Sequence, residues 1–197
     1  MNYVAHTLEL HNEVPEEPVF FMKPDSSLLR NNYPFFVPEW SNDLQHEIEL
    51  VIRICRLGKN IQPAFAHRYY KEIGLGIDFT ARDVQAKLIS KGLPWEKSKA
   101  FDNAAVLGNT FIPRESLPEM NSIGFHLDVN GKTVQNGNSG LMIFSFDDII
   151  VHVSKYVTLK MGDLIYTGTP AGVGPVKPGD HLEGYIGEQK LLNFMVK

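Results

Sequence analysis

The stretch Gln45-His46-Glu47-Ile48-Glu49-Leu50-Val51-Ile52-Arg53-Ile54 alternates with the two-residue period of a half-buried β-strand. Ile48, Leu50, Ile52 and Ile54 share one face. The opposite face begins with Glu47 and Glu49, whose Cα atoms lie roughly 6.5–7 Å apart on an extended chain. Two carboxylates on one strand face repel each other, and burial strips each of hydration as well. A divalent cation relieves both costs, and carboxylate oxygens suit a hard ion. The same pattern on the solvated face of a sheet needs no ion, so the pair alone is only a candidate ligand set.

A third acid stands in Leu75-Gly76-Ile77-Asp78-Phe79-Thr80-Ala81-Arg82-Asp83-Val84-Gln85. Asp78 sits among apolar residues where a strand ends and a helix begins, a place where a rigid element can aim a side chain. Thr80-Ala81-Arg82-Asp83 reads as a capping-box-like helix start, with Val84 and Leu88 as the buried stripe and Gly92 as the stop. Arg82 and Gln85 then fall in the first turns, beside Asp78 and the positive end of the helix dipole. That is a cradle for an anionic substrate, or equally a solvated first turn.

His46-Glu47-Ile48-Glu49-Leu50 followed by Asp78-Phe79-Thr80-Ala81-Arg82-Asp83-Val84-Gln85 resembles the signature of the fumarylacetoacetate hydrolase family. The likeness is greatest to its small single-domain members of the acylpyruvate hydrolase and oxaloacetate decarboxylase type, and it runs in order over nearly the whole chain. It implies a β-rich α+β fold, a curved mixed sheet or distorted barrel with peripheral helices, assembled as a homodimer. Mg²⁺ or Mn²⁺, with Ca²⁺ as another possible occupant, would be held by Glu47, Glu49 and Asp78.

The bulk properties agree. A chain of 197 residues is most simply one domain, 1–197, large enough to bury a sizeable core. Net charge −4 with dispersed acids and bases argues against a nucleic-acid partner. No apolar run approaches the roughly 18 residues of a membrane helix, and no secretory signal opens the chain. The single Cys55 cannot form an intrachain disulfide, which fits a reducing compartment and a cytoplasmic location. By alternation Cys55 follows Glu47 and Glu49, although a small buried hydrophobe is the commoner role.

At the N-terminus, His6 and Glu9 stand three residues apart in Asn2-Tyr3-Val4-Ala5-His6-Thr7-Leu8-Glu9. On a helix they share a face, where Glu9 can orient the imidazole; without a partner they are an exposed pair. The resemblance implies a mobile lid whose His6–Glu9 dyad closes over substrate, preceded in relatives by a strand ahead of residue 1. Val19-Phe20-Phe21-Met22-Lys23-Pro24 reads as a short strand entering a turn, and the resemblance sets Lys23 near the mouth of the site. Residues 64–71 read as helical. Pro94-Trp95-Glu96-Lys97-Ser98-Lys99-Ala100-Phe101-Asp102 carries two lysines, of which the resemblance selects Lys99 as the active-site one. Residues 125–135 read as a structural hairpin turning at Asn130-Gly131, and 143–156 as an amphipathic helix with Ile149, Ile150 and Val153 inward.

The string from Gly162 to Gly174 is a strand entering a glycine-rich loop. It lacks the Gly-Lys-Ser/Thr ending and following helix of a nucleotide loop. The resemblance makes Thr169 a substrate-carboxylate contact instead. Taken together, it implies metal-dependent hydrolysis of a C–C bond in a small β-diketo acid such as an acylpyruvate. His6 would activate water, while the cation and Lys99 stabilise an enolate. Alternatives are oxaloacetate decarboxylation, keto–enol isomerisation of a dicarboxylic acid, or a non-catalytic metal- or carboxylate-binding protein.

Overall fold

The computed structural model describes residues 2–9, 13–117 and 119–197. The architecture is a strand-rich α+β fold with a curled, half-barrel sheet and few helices, as expected. Its first sheet runs β1 (Leu28–Leu29), β6 (Ala105–Leu107), β4 (Tyr70–Asp78), β3 (Ile48–Ile54), β10 (Leu164–Tyr166), with β7 (Ile112–Pro113) also on β4. Only β1 and β6 pair in parallel among these. A small sheet of β11 (Gly174–Pro175), β2 (Leu44–His46) and β5 (Thr80–Ala81) continues the β2–β3 chain beyond the kink at Glu47. A third, antiparallel sheet runs β13 (Gln189–Met195), β12 (His181–Ile186), β8 (Gly124–Val129), β9 (Lys132–Asn138). The helices are α1 (Val4–Glu9), α2 (Arg82–Ser90), α3 (Glu96–Lys99) and α4 (Phe146–Tyr156).

The Ile/Leu face of β3 and β4 supplies the core. Ile48, Leu50, Ile52, Leu75 and Ile77 are fully buried, and each contributes roughly 1.5–3 kcal/mol by leaving water. The third sheet closes over this face: Leu75 of β4 packs so tightly on β12 that a side chain at Gly184 would collide with it. Phe35 and Phe79 pack with ring centroids 4.1 Å apart, and Phe194 meets Phe79 edge-on.

β3 differs from its expected half-exposed state. It lies between β4 and β10 and is buried on both faces except at Arg53, which pairs with Glu72 of β4. The face carrying Glu47 and Glu49 is therefore interior. Residues 19–24 form no strand; the segment is held by side chains, Phe21 edge-on to Trp95 and Lys23 donating to the Ala104 carbonyl. The expected helix over 64–71 shrinks to a 3₁₀ segment, Pro63–Arg68, because Tyr70 is recruited into the ladder opposite Ile54.

The start of α2 also departs from the capping-box reading. Thr80 is committed to β5, Ala81 caps without a side-chain bond, and Asp83 instead accepts from Ser41 and Asn42. Gly92, at φ +61, ends that helical segment as expected. Asn130 and Gly131, at φ +54 and +75, make the expected hairpin turn. α4 begins three residues later than the apolar pattern suggested, because Ser145 caps it: Ser145 Oγ accepts from Asp148 N, and the Asp148 carboxylate accepts from Ser145 N.

That cap is testable. Ser145→Ala should cost about 1 kcal/mol and lower Tm by about 2–4 °C in thermal unfolding, with site properties unchanged. An unaltered Tm would mean that packing alone sets the start of α4.

Candidate active site

Four separate parts of the chain converge on the face of β3 that bears the acids. Asp78 N donates to the Glu47 carbonyl at 2.8 Å, so the end of β4 lies beside the β2–β3 kink. Oxygens of Glu47, Glu49 and Asp78 come within 4.8 Å of one another, and all three side chains are about 95 % buried. They floor a cavity of about 460 Å³ whose wall includes His6, Arg82, Gln85, Lys99 and Thr169. Its outer part is apolar, lined by Val19, Phe21, Ile89, Leu93 and Trp95.

Three carboxylates this close must be compensated, and three cations do it. Lys99, at the end of α3, sets Nζ 2.7 Å from Glu47 Oε2 and 2.8 Å from Asp78 Oδ2. Arg82, in the first turn of α2, donates from Nη2 to Glu47 Oε1 at 2.6 Å and from Nη1 to Gln85 at 2.7 Å. Lys23, partly buried, sets Nζ 2.5 Å from Asp78 Oδ1.

The compensation is uneven. Burial alone would raise Glu47, but Lys99 and Arg82 outweigh it and hold its carboxyl well below the usual range. Glu49 has no such partner: burial, then the charges of Asp78 and Glu47, push it up to about 8 against the pull of the Gly168 amide. Burial draws Lys23 down despite Asp78, whereas Asp78 and Glu47 overcome burial and raise Lys99.

Whether this donor set suits a cation can be judged from its surplus. Every ligand atom is a carboxylate oxygen, and the acid lacking a cationic partner is driven toward neutrality. A hard divalent ion answers both features. The residues fit the group.

The glycine loop between β10 and β11 is spent on protein carboxylates, not on a phosphate. Gly168 N donates to Glu49 Oε2 at 2.6 Å, and Gly172 N donates to Glu9 Oε1 at 3.0 Å. Both glycines adopt positive φ, +103 and +97. A Cβ would also meet Asn2 at Gly168 and the Val134 carbonyl at Gly172. Glu9 thus docks α1 on this loop and accepts from His6 Nδ1 at 3.2 Å, leaving Nε2 of the ring as the basic nitrogen. Burial lowers the His6 pKa, outweighing Glu47 and Glu9, so the imidazole is neutral at neutral pH.

Eight of the ten residues expected from sequence line the cavity directly; Glu9 and Lys23 join through His6 and Asp78. Cys55 does not: it bonds the Arg68 carbonyl away from the cavity. Two residues escaped the sequence reading. His46 carries only a generic strand signal, and Gln135 lay in a hairpin expected to be purely structural. Gln135 is buried with its amide bonded to His46, Ile48, Thr169 and Pro170.

The sequence profile described as fumarylacetoacetate (FAA) hydrolase C-terminal matches residues 1–196. A mitochondrial oxaloacetate tautomerase from Mus musculus is 40% identical over 196 residues, spanning 100% of this chain and 88% of its own. A mitochondrial oxaloacetate decarboxylase from Dictyostelium discoideum is 43% identical over 179 residues, 90% of this chain and 82% of its own. Among solved structures, a Pseudomonas aeruginosa fumarylpyruvate hydrolase in complex with Mn²⁺ and pyruvate superposes with TM-score 0.92 at 31% identity, covering 99% and 85% of the two chains. The chain belongs to the fumarylacetoacetate hydrolase family, and its homologues are enzymes.

The strained charge on Glu49 sets a pH dependence. Its folded pKa exceeds the unfolded value near 4.5, so its contribution to stability is full below pH 4.5 and is lost as pH rises to about 8. In chelator, wild type should lose stability relative to Glu49→Gln across that window, by at most about 1.4 kcal/mol per pH unit. Thermal melts of both proteins at pH 5.5 and 8 test this. Parallel Tm curves would show that Glu49 is ionised throughout.

Proposed function

For this family member we propose a divalent-metal-dependent hydrolase that cleaves the C3–C4 bond of a small acylpyruvate. The observation carrying the proposal is the buried Glu47–Glu49–Asp78 cluster at the floor of a cavity walled by His6 and Lys99. Glu47, Glu49 and Asp78 would hold Mg²⁺ or Mn²⁺, which would supply a Lewis acid for the 2-oxo acid end of the substrate.

The chain's own residues do the rest. Nε2 of neutral His6, oriented by Glu9, takes a proton from water as its oxygen adds to C4. The C3–C4 bond then breaks with its electron pair left on the pyruvate fragment as an enolate. Lys99 faces the negative charge that develops, and the proton held by His6 returns to C3. The products are pyruvate and a carboxylic acid. Arg82, Gln85 and Thr169 border the substrate space, where Thr169 and the Arg82–Gln85 pair contact its carboxylate end. Lys23 acts by holding Asp78. The apolar outer wall accommodates the acyl substituent and supports an acylpyruvate over a substrate charged at both ends.

A second reading has its own support. The two relatives named for oxaloacetate are 40% and 43% identical to this chain. Decarboxylation of oxaloacetate would leave the same pyruvate enolate after loss of CO₂, and its keto–enol tautomerisation would pass through the enolate of oxaloacetate itself, neither with attack by water. A homodimer, testable by light scattering, and a cytoplasmic location belong to the proposal as well. The mitochondrial names of the two relatives supply the competing location that cell fractionation would decide.

Steady-state assays on acetylpyruvate and oxaloacetate, with Mg²⁺ and with chelator, separate these readings. Chelator should abolish turnover. His6→Ala should lower acylpyruvate cleavage by about 10²–10⁴-fold and oxaloacetate decarboxylation far less. Lys99→Met should lower both. Equal losses on both substrates for His6→Ala would leave lid closure, not base catalysis, as the role of the dyad. Absence of turnover on either substrate would favour a non-catalytic binding protein.

A further inference from the structure

Gln135 lies on β9, in a sheet that contributes no acid to the cluster, yet its side chain reaches the site. It is 1 % exposed, and every hydrogen-bonding capacity of its amide is used. Oε1 accepts from Ile48 N at 3.0 Å and from His46 Nδ1 at 2.9 Å, so it grips the chain on both sides of Glu47. Nε2 donates to Thr169 Oγ1 at 2.8 Å and to the Pro170 carbonyl at 2.9 Å.

The orientation of this amide is forced by its neighbours. A backbone N–H can only donate and a backbone carbonyl can only accept, so Oε1 must face Ile48 and Nε2 must face Pro170. Two consequences follow for side chains whose hydrogens could otherwise rotate or shift. His46 carries its proton on Nδ1. Thr169 Oγ1 accepts from Gln135, so its own O–H is released to donate into the cavity that it lines.

We propose that Gln135 is a positioning residue that turns the Thr169 hydroxyl into a donor for the carboxylate of a 2-oxo acid and fixes the Glu47 backbone in register with it. Metal site and carboxylate site are thereby held as one piece by a single amide. Val134, its neighbour, adds to the same support by packing its carbonyl beneath Gly172, where α1 docks. The inference rests on the metal-dependent 2-oxo acid reading and deepens it.

Calorimetry on folded protein tests the assignment without turnover. Pyruvate is titrated into Mn²⁺-loaded wild type, Gln135→Met, Thr169→Val and the double variant, and Mn²⁺ into the chelator-treated wild type and Gln135→Met. Gln135→Met should weaken Mn²⁺ and pyruvate by about tenfold or more each, the usual scale for a partner behind a ligand. With Mn²⁺ saturating in every variant, so that the loss of metal affinity does not enter, Gln135 acts on pyruvate through Thr169, and the double variant should bind pyruvate about as weakly as Thr169→Val alone. A double variant whose losses multiply, or a Gln135→Met protein that binds Mn²⁺ and pyruvate like wild type, overturns the proposal. If Gln135→Met does not fold, Gln135→Asn keeps the amide but withdraws it by one methylene, and the same outcomes decide. Absence of turnover with these binding changes intact would refute the hydrolase reading and leave Gln135 in place. Absence of Mn²⁺ or pyruvate binding to wild type refutes both.

Discussion

Three carboxylates brought out of water within 4.8 Å of one another form the constraint from which the rest of this molecule follows. Each loses hydration and each repels the others, so the arrangement survives only where positive charge is delivered to it. Lys99, Arg82 and Lys23 arrive from different segments, and none is close in sequence to Glu47 or Glu49. Their reach is incomplete. Glu47 is held ionised by two cations, while Glu49 has only a backbone amide and is driven toward its proton. A polypeptide that leaves one buried acid unsatisfied retains a demand for a further cation, and that demand is the physical basis for reading the cluster as a metal centre.

The backbone of the β10–β11 loop meets a second demand. Its glycine amides point at acids from two other parts of the chain: Gly168 at the cluster, Gly172 at the helix that brings His6. One short loop therefore holds the helix that carries His6 against the acidic cluster. Glu9 accepts from Gly172 N and from His6 Nδ1 at once, so the loop and the imidazole are held together beside the cavity. Gln135 extends this logic from the other side. It clamps strand and loop with one amide whose orientation is dictated by obligate backbone partners. The third sheet, which looks like packing material for the core, thus also holds the site in register.

Much was legible in the sequence for a simple reason. The acids sit on local patterns with fixed geometry: alternation placed Glu47 and Glu49 on one face, an apolar setting marked Asp78, and helical spacing paired His6 with Glu9. Motifs of this kind depend on neighbours along the chain, which sequence order preserves, and the resemblance to one family joined them into a site. Turn chemistry at Asn130-Gly131 and the stop at Gly92 were readable on the same grounds, since positive φ selects those residues.

Tertiary structure decided the rest. Alternation could not reveal that β3 is central and buried on both faces, because its strand neighbours β4 and β10 and the groups that cover its faces come from distant parts of the chain. Residues 19–24 and 64–71 have the composition of regular elements, yet the tertiary contacts of Lys23 with Asp78 and Ala104 and the recruitment of Tyr70 into the ladder overrode it. Gln135 shows the limit most clearly. A polar residue in a hairpin carries no mark of what its amide will bond, since that is set by which backbone groups of other strands arrive unpaired beside it. Sequence order determined which chemical groups this protein owns and their local pairing. Only long-range packing determined which of them would share a dry space, and in a dry space an unpaired charge or amide is costly enough to dictate the chemistry.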